Sequence, residues 1–273
     1  MSALLEIRDL TKDFGGLRAV AAFHLELRPG ELVGLIGPNG AGKTTVFNLI
    51  TGMISPTVGE IRLAGENLVG YPPHRITHRG IARTFQNIRL FNDLSVLDNV
   101  RIAYHPYAGY RLIEGVLRLP RFHRREREIV EQAHELLGIF GLSDRAPELA
   151  RNLPYGDQRR LEIVRALAAR PKLLLLDEPA AGMNAGEIQK LMELIHFIRD
   201  RFKLTLLLIE HQMRFVMSIC ERLVVMDFGE IIAEGTCREI QNDPKVIEAY
   251  LGKGVHTGGS GATPAAPPPE GRR

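Results

Sequence analysis

Apolar and charged positions alternate at the start of the chain. Leu5, Ile7 and Asp9 fall on one side and Glu6 and Arg8 on the other, the period of a half-buried strand. Phe14-Gly15-Gly16 punctuates that strand, and a second alternating stretch, His24 to Arg28, closes at the turn Pro29-Gly30. Glu31 to Ile36 is almost continuously apolar, which suits a strand buried on both faces. A glycine-rich loop and a helix over Thr44 to Leu49 follow, then a short alternating strand within Gly59 to Gly65. From about residue 92 to about 170 the period becomes helical: Ile129, Ala133, Leu136, Leu137 and Phe140 share a face, and Gly141 stops that helix. Leu173 to Leu176 reads as another buried strand. Gly186 to Arg201 is an amphipathic helix, and Leu204 to Ile209 and Leu223 to Met226 are further buried strands. Apolar strands alternating with helices predict an α/β fold with a parallel sheet, and the helical middle reads as an insertion between its two halves. After Gly252 the residues are Gly, Pro, Ala, Ser and Thr with almost nothing bulky to bury, the composition of a disordered tail.

Composition narrows the picture only a little. A chain of 273 residues allows one large domain or two small ones. Lys plus Arg number 35 and Asp plus Glu 32, and the resulting excess of +3 argues against the concentrated basic face of a nucleic-acid binder. Two cysteines, Cys220 and Cys237, make no disulfide framework, and both read as inert. The first residues lack a basic segment followed by an apolar stretch, so no secretory signal is expected. The longest apolar runs are far short of the ~20 residues that span a bilayer. These features predict a globular, cytoplasmic chain.

The chemistry enters with Gly37-Pro38-Asn39-Gly40-Ala41-Gly42-Lys43-Thr44, a GxxxxGK[ST] loop placed after a buried strand and opening a helix. Glycines let backbone N–H groups curl around an anion, and the helix turns its positive end toward it. Lys43 adds a full charge at the β/γ oxygens, and the Thr44 hydroxyl can ligate Mg²⁺. Thr45 either touches the α-phosphate or packs. The strand Leu173 to Leu176 delivers Asp177 as a second Mg²⁺ ligand, and Glu178 follows as a general base for the attacking water. Together these motifs predict a P-loop nucleoside triphosphatase without choosing its class.

The class comes from a resemblance. Leu153-Pro154-Tyr155-Gly156-Asp157-Gln158 resembles the signature segment of ATP-binding-cassette (ABC) ATPases, LSGGQ in its common form. Gln86 in Arg83-Thr84-Phe85-Gln86-Asn87 resembles the family's glutamine loop. Ala181-Gly182-Met183-Asn184 resembles the loop that crosses its dimer interface, and His211 resembles its switch histidine. Phe14 stands where the family stacks an aromatic on adenine. Residues 82–91, the Tyr155-Gly156 signature, residues 177–184 and Ala249-Tyr250-Leu251-Gly252 narrow the resemblance to the larger ATP-binding subunit of branched-chain amino acid importers. Urea/amide importers and the lipopolysaccharide-export ATPase look similar.

The resemblance implies a P-loop ATPase core with an N-terminal antiparallel β subdomain and an inserted helical subdomain. The ABC domain would span 1–252, with the core lobe at 1–87 and 161–252, the helical subdomain at 88–160 and the tail at 253–273. It implies ATP and Mg²⁺ as ligands. ATP would be bound by Phe14, Gly37, Pro38, Asn39, Gly40, Ala41, Gly42, Lys43, Thr44 and Thr45, and across a dimer by Tyr155, Gly156 and Asp157. Thr44, Gln86 and Asp177 would hold the metal, and Glu178, His211 and Gln86 would carry hydrolysis. The implied partners are a second ABC ATPase subunit, two transmembrane permease subunits and, indirectly, a periplasmic binding protein, with no nucleic acid. The implied location is peripheral, on the cytoplasmic face of the inner membrane.

One departure stands out. Pro154 brings neither a hydroxyl nor an N–H where the common signature has Ser, and Asp157 brings a negative charge where it has Gln, which predicts the weaker half of a composite site. Asp157 is also expected to cap the signature helix. The densest basic run, Arg118, Arg121, Arg124, Arg125 and Arg127, reads either as a solvated helix face or as a surface near anionic headgroups or the membrane partner. A soluble DNA-maintenance ATPase can share the signature but needs long coiled coils or a DNA-binding surface, and neither is visible.

Overall fold

The computed structural model describes residues 2–251; the expected tail, 253–273, lies outside the described residues. The chain opens with a long hairpin, β1 (Leu5–Phe14) and β2 (Leu17–Leu27), turning at Gly15-Gly16, and continues into β3 (Leu32–Ile36) and α1 (Lys43–Ile50). Next come β4 (Val58–Leu63), β5 (Glu66–Asn67), α2 (Pro73–Arg79) and β6 (Ile81–Arg83). The helical stretch holds α3 (Val96–Tyr104), α4 (Leu112–Val116), α5 (Pro120–Ile139) and α6 (Tyr155–Ala168). The chain then alternates through β7 (Leu173–Asp177), α7 (Ala185–Phe202), β8 (Thr205–Ile209), α8 (Met213–Ile219) and β9 (Arg222–Asp227). It ends with β10 (Glu230–Gly235), α9 (Cys237–Asn242) and α10 (Pro244–Leu251).

Two sheets result. The smaller is antiparallel in the order β2-β1-β4-β5. The larger runs β10-β9-β3-β8-β7-β6, with every pair from β9 to β6 parallel and β10 antiparallel at the edge. The fold is thus the α/β arrangement expected. The leucine runs owe their continuity to this sheet: Leu174, Leu176, Leu206 and Leu208 face a core shared with the helical stretch. Leu173, Leu175, Leu207 and Ile209 face a second core under the antiparallel sheet and α1. A strand between two cores has no wet face, so it has no polar alternation.

The structure differs from the elements expected of the sequence at several points. Asp9 does not share the face of Leu5 and Ile7; its φ of 49° marks a bulge that shifts the register and gives Leu10 the buried place. The second strand begins at Leu17, well before His24, because the hairpin pairs as far as Phe14↔Leu17. The short strand β6 was not expected at all. Neither was the antiparallel edge strand β10. Two helix ends follow local rules. Asn184 accepts from the Glu187 N–H at 3.0 Å and opens α7, and Gly141, at φ 67°, follows α5.

The packing at β3 is tight. A Cβ on Gly34 would stand 2.6 Å from Leu223 Cδ2 and 3.0 Å from Cys220 Sγ. Gly34→Ala is therefore expected to lower the unfolding free energy by about 1–3 kcal/mol through overpacking, read as a lower urea midpoint at unchanged m-value.

Candidate active site

The phosphate loop is a backbone structure that side chains would spoil. Gly37 runs at φ 148°, and a Cβ there would meet the Met226 carbonyl oxygen at 2.0 Å; Gly42, at φ 100°, would meet that of Ala19 at 2.5 Å. The loop is pinned by Ala41 N–H donating to Pro38 O at 3.2 Å and Gly229 N–H donating to Ala41 O at 3.0 Å. Gly42 precedes α1 and offers no side chain to cap its first amides, the arrangement that receives an anion. Lys43 is buried and donates to the carbonyls of Gly37 and Pro38, both at 2.8 Å. Burial draws its pKa down, against the opposing pull of Glu178 and Asp177. Thr44 is exposed and Thr45 half-buried on the first turn of α1.

Strands β6, β7 and β8 bring up the acidic and amide groups. Asp177, 4% exposed at the end of β7, accepts from Arg83 at 2.6 Å. Arg83 also donates to Asn48 of α1 at 2.7 Å, and its guanidinium carbon stands 5.4 Å from the ring centre of Phe47 and 5.0 Å from that of Phe85. Glu178 adopts a left-handed backbone at φ 45°, a strained conformation for a residue with a side chain. It accepts from the Gln86 amide at 2.7 Å, and His211 Nδ1 stands 3.7 Å from the same oxygen. Glu210, wholly buried, accepts from the N–H groups of Ala180 (2.9 Å), His211 (3.0 Å) and Gln212 (3.3 Å), fixing the loop that carries His211.

A cavity of about 400 Å³ gathers Gly37, Pro38, Asn39, Gln86, Glu178 and His211, together with Tyr250 of α10. The signature residues lie elsewhere. Pro154, Gly156 and Asp157 line a separate cavity of about 650 Å³ with Met183 and Glu187. Tyr155 donates its hydroxyl to Ala181 O at 3.2 Å. Pro154 occupies the position before α6 and contributes no side-chain cap. Asp157 does not cap either: its carboxylate pairs with Arg160 at 3.0 Å and Arg145 at 3.5 Å, so its charge is answered within the chain. Phe14 is 48% exposed at the end of β1, with the Lys12 ammonium 5.0 Å from its ring centre.

A triphosphate and its metal fit these groups. Mg²⁺ takes oxygen donors and keeps most of its shell for water and phosphate, so one or two side chains suffice. The Thr44 hydroxyl, the Asp177 carboxylate and the Gln86 amide oxygen are donors of that kind, beside a loop whose first helical amides have no side-chain cap.

Sequence reasoning gave no role to Arg83, Glu210, Arg159, Glu162 or Tyr250. A charge immediately after a fully apolar strand was the available signal for Glu210, and Arg83, on a strand too short to read, had none. Tyr250 was visible only as part of a recognised closing motif. In the basic run, Arg121 is spent on Glu114 and Gly109 O, and Arg125 on Ala108 O and Glu128. Cys237 donates its thiol to Cys220 O at 3.2 Å, and burial pushes the Cys220 thiol far from ionisation.

The chain is similar to known proteins over most of its length. Residues 20–181 match the family model described as ABC transporter, and residues 230–256 that of the branched-chain amino acid ATP-binding cassette transporter. The chain is 46% identical to the high-affinity branched-chain amino acid transport ATP-binding protein BraF of Pseudomonas aeruginosa over 250 residues, which are 92% of this chain and 98% of that protein. It is 47% identical, at the same coverage, to LivG of Escherichia coli K12, a protein of the same description. The lipopolysaccharide export system ATP-binding protein LptB of Haemophilus influenzae is 35% identical over 251 residues, 92% of this chain and 98% of that protein. Among solved structures, the ADP conformation of MJ1267, an ATP-binding cassette of an ABC transporter, superposes with a TM-score of 0.80 at 30% identity. It covers 93% of this chain and 100% of that one.

Arg83→Met is expected to cost about 3–5 kcal/mol of stability in denaturant titration, because it leaves the Asp177 carboxylate buried without its guanidinium. Adding Asp177→Asn should recover most of that loss; no recovery would mean that Arg83 acts through packing alone.

Proposed function

The chain belongs to the ABC transporter ATPase family, binds nucleotide and hydrolyses ATP, and from that premise we propose that it is the energy-coupling subunit of an importer for branched-chain amino acids. The observation that carries the hydrolytic part of the proposal is the convergence of Gln86, Glu178 and His211 on the Gly37–Asn39 backbone in one cavity. The substrate class rests on the relatives at 46–48% identity over 92% of the chain and on the family match at residues 230–256, which favours amino acid import over lipopolysaccharide export.

In this reading Phe14 stacks on adenine, and Gly37 to Thr45 hold the phosphates through backbone N–H groups and the Lys43 charge. Thr44, Asp177 and Gln86 would hold Mg²⁺, which when bound would neutralise charge on the phosphoryl oxygens. Glu178 takes a proton from a water oriented by Gln86. The water oxygen bonds to the γ-phosphorus as the bond to the β–γ bridging oxygen breaks, leaving ADP and phosphate. His211 touches the γ-phosphate.

The separation of Tyr155, Gly156 and Asp157 from this cavity supports a composite site in which a second ATPase subunit supplies the signature helix to each nucleotide. Two permease subunits and a periplasmic binding protein complete the assembly at the cytoplasmic face of the inner membrane, without nucleic acid. Among the described residues no helix is long and apolar enough to cross a membrane, so the translocation path belongs to the permeases. Pro154 lacks the hydroxyl donor of the common signature, and a charge-assisted hydrogen bond to phosphate is worth ~1.5–3 kcal/mol. This chain therefore supplies the weaker half of one composite site.

Glu178→Gln should bind ATP with parental affinity in equilibrium titration and hydrolyse it ~10²–10⁴-fold more slowly, the usual worth of a general base; normal turnover would remove Glu178 from that role. In the complex isolated from membranes, ATPase activity should exceed that of this chain alone and rise further with a binding protein loaded with leucine, isoleucine or valine. Stimulation by a urea-loaded binding protein instead would overturn the substrate class, and equal rates for chain and complex would overturn the composite site.

A further inference from the structure

The loop that carries Gln86 has no regular structure, yet it holds the amide 2.7 Å from Glu178. The groups that fix it come from α6, the helix that begins with the signature residues. Arg159 and Glu162 stand one turn apart on α6, each with a side chain 1% exposed, and pair at 2.9 Å. The Arg159 guanidinium donates to Phe85 O at 2.7 Å and to Gln86 O at 3.0 Å. Glu162 Oε1 accepts from Phe85 N–H at 3.2 Å and from Arg89 N–H at 3.3 Å. Two side chains thus grip the backbone on both sides of Gln86.

A buried ion pair is a poor device for stability alone, since apolar side chains of the same volume often do as well or better. Apolar side chains cannot satisfy two carbonyls and two N–H groups of an irregular loop. The planar fork of an arginine reaches two carbonyls at once, which the single ammonium of lysine does not. The pairing that would be extravagant as packing is therefore apt as a lock on loop geometry.

We propose that Arg159 and Glu162 are positioning residues for ATP hydrolysis: they fasten the 85–89 backbone to α6, so that the signature helix and the Gln86 loop move as one body. A displacement of α6 then changes the distance between Gln86 and Glu178 in the same chain. Tyr155, at the start of α6, also donates to Ala181 just after Glu178, so the helix touches the reacting segment at two points. The proposal rests on the hydrolytic roles assigned above to Gln86 and Glu178.

The test uses the full-length chain carrying Arg159→Met with Glu162→Leu, which removes both buried charges together and puts apolar side chains in their place. Amide hydrogen exchange at Phe85 and Arg89 should quicken at least ~10-fold while the amides of β7 exchange as in the parent. Steady-state kcat should fall at least ~10-fold with KM for ATP within ~2-fold, the pattern of an interaction made for the transition state. Arg159→Lys, which keeps the charge and loses the fork, should fall between parent and double variant in both readouts, and it decides the matter if the double variant does not fold. Parental exchange at residues 85–89, or a kcat lost only in proportion to the fraction unfolded, overturns the lock. The exchange measurement needs no turnover, so it tests the lock even in a chain inactive without its paired subunit; the kcat comparison is then made in the isolated complex, and a complex that turns over no ATP would count against the hydrolytic roles of Gln86 and Glu178 and not against the lock.

Discussion

A parallel strand enclosed by two cores has room for a polar side chain only at its ends, and the rest of the molecule follows from that constraint. β3, β7 and β8 are buried along their whole length, so polar chemistry is expelled to the carboxyl edge, where the strands leave the sheet. Because β3, β6, β7 and β8 are parallel, their ends lie along one edge. Gly37 follows β3, Thr84 to Gln86 follow β6, Asp177 and Glu178 end β7, and Glu210 and His211 follow β8. Segments far apart in sequence meet in one cavity because the sheet leaves them nowhere else to emerge.

The charges that remain buried mark where the edge must be stiff. Arg83 with Asp177, Arg159 with Glu162, and Glu210 with three backbone amides each enclose a charge beside its partner, although Nε of Arg83 and of Arg159 is left without a hydrogen-bond acceptor. Each would be costly if one partner were missing. Each joins a strand end to a neighbouring helix or loop. Arg83 ties β6 to α1 and β7, Glu210 ties the end of β8 to the Ala180 segment, and Arg159 and Glu162 tie α6 to the Gln86 loop. The hydrophobic cores fix where the strands end, and these polar links fix how the ends sit relative to one another.

Much of this was legible in the residues. The continuous apolar runs identified the buried strands, and the glycine pattern identified the phosphate loop, because both depend on rules that act within a few residues. The strand β6 escaped notice because three residues carry too little periodicity, and the bulge at Asp9 because alternation says nothing of an inserted residue. Arg159 and Glu162 were invisible for a different reason. An i, i+3 pair of opposite charge on a helix looks like a solvated face, and only the folded chain shows that face turned inward against the 85–89 backbone. Asp157 does sit in the first turn of α6 as expected, but it makes no capping hydrogen bond, and its carboxylate pairs with Arg160 and with Arg145, twelve residues earlier.

The left-handed backbone at Glu178 narrows what that position can become over evolutionary time. Glycine, asparagine and aspartate accept such a φ most readily. Glycine has no carboxylate, asparagine has the wrong group, and aspartate is one methylene shorter than the side chain that meets Gln86 at 2.7 Å. Residues branched at Cβ are worse still in that conformation. The substitutions that would ease the backbone are those that withdraw the carboxylate from Gln86, so drift toward a more relaxed chain and drift toward a slower one run along the same path.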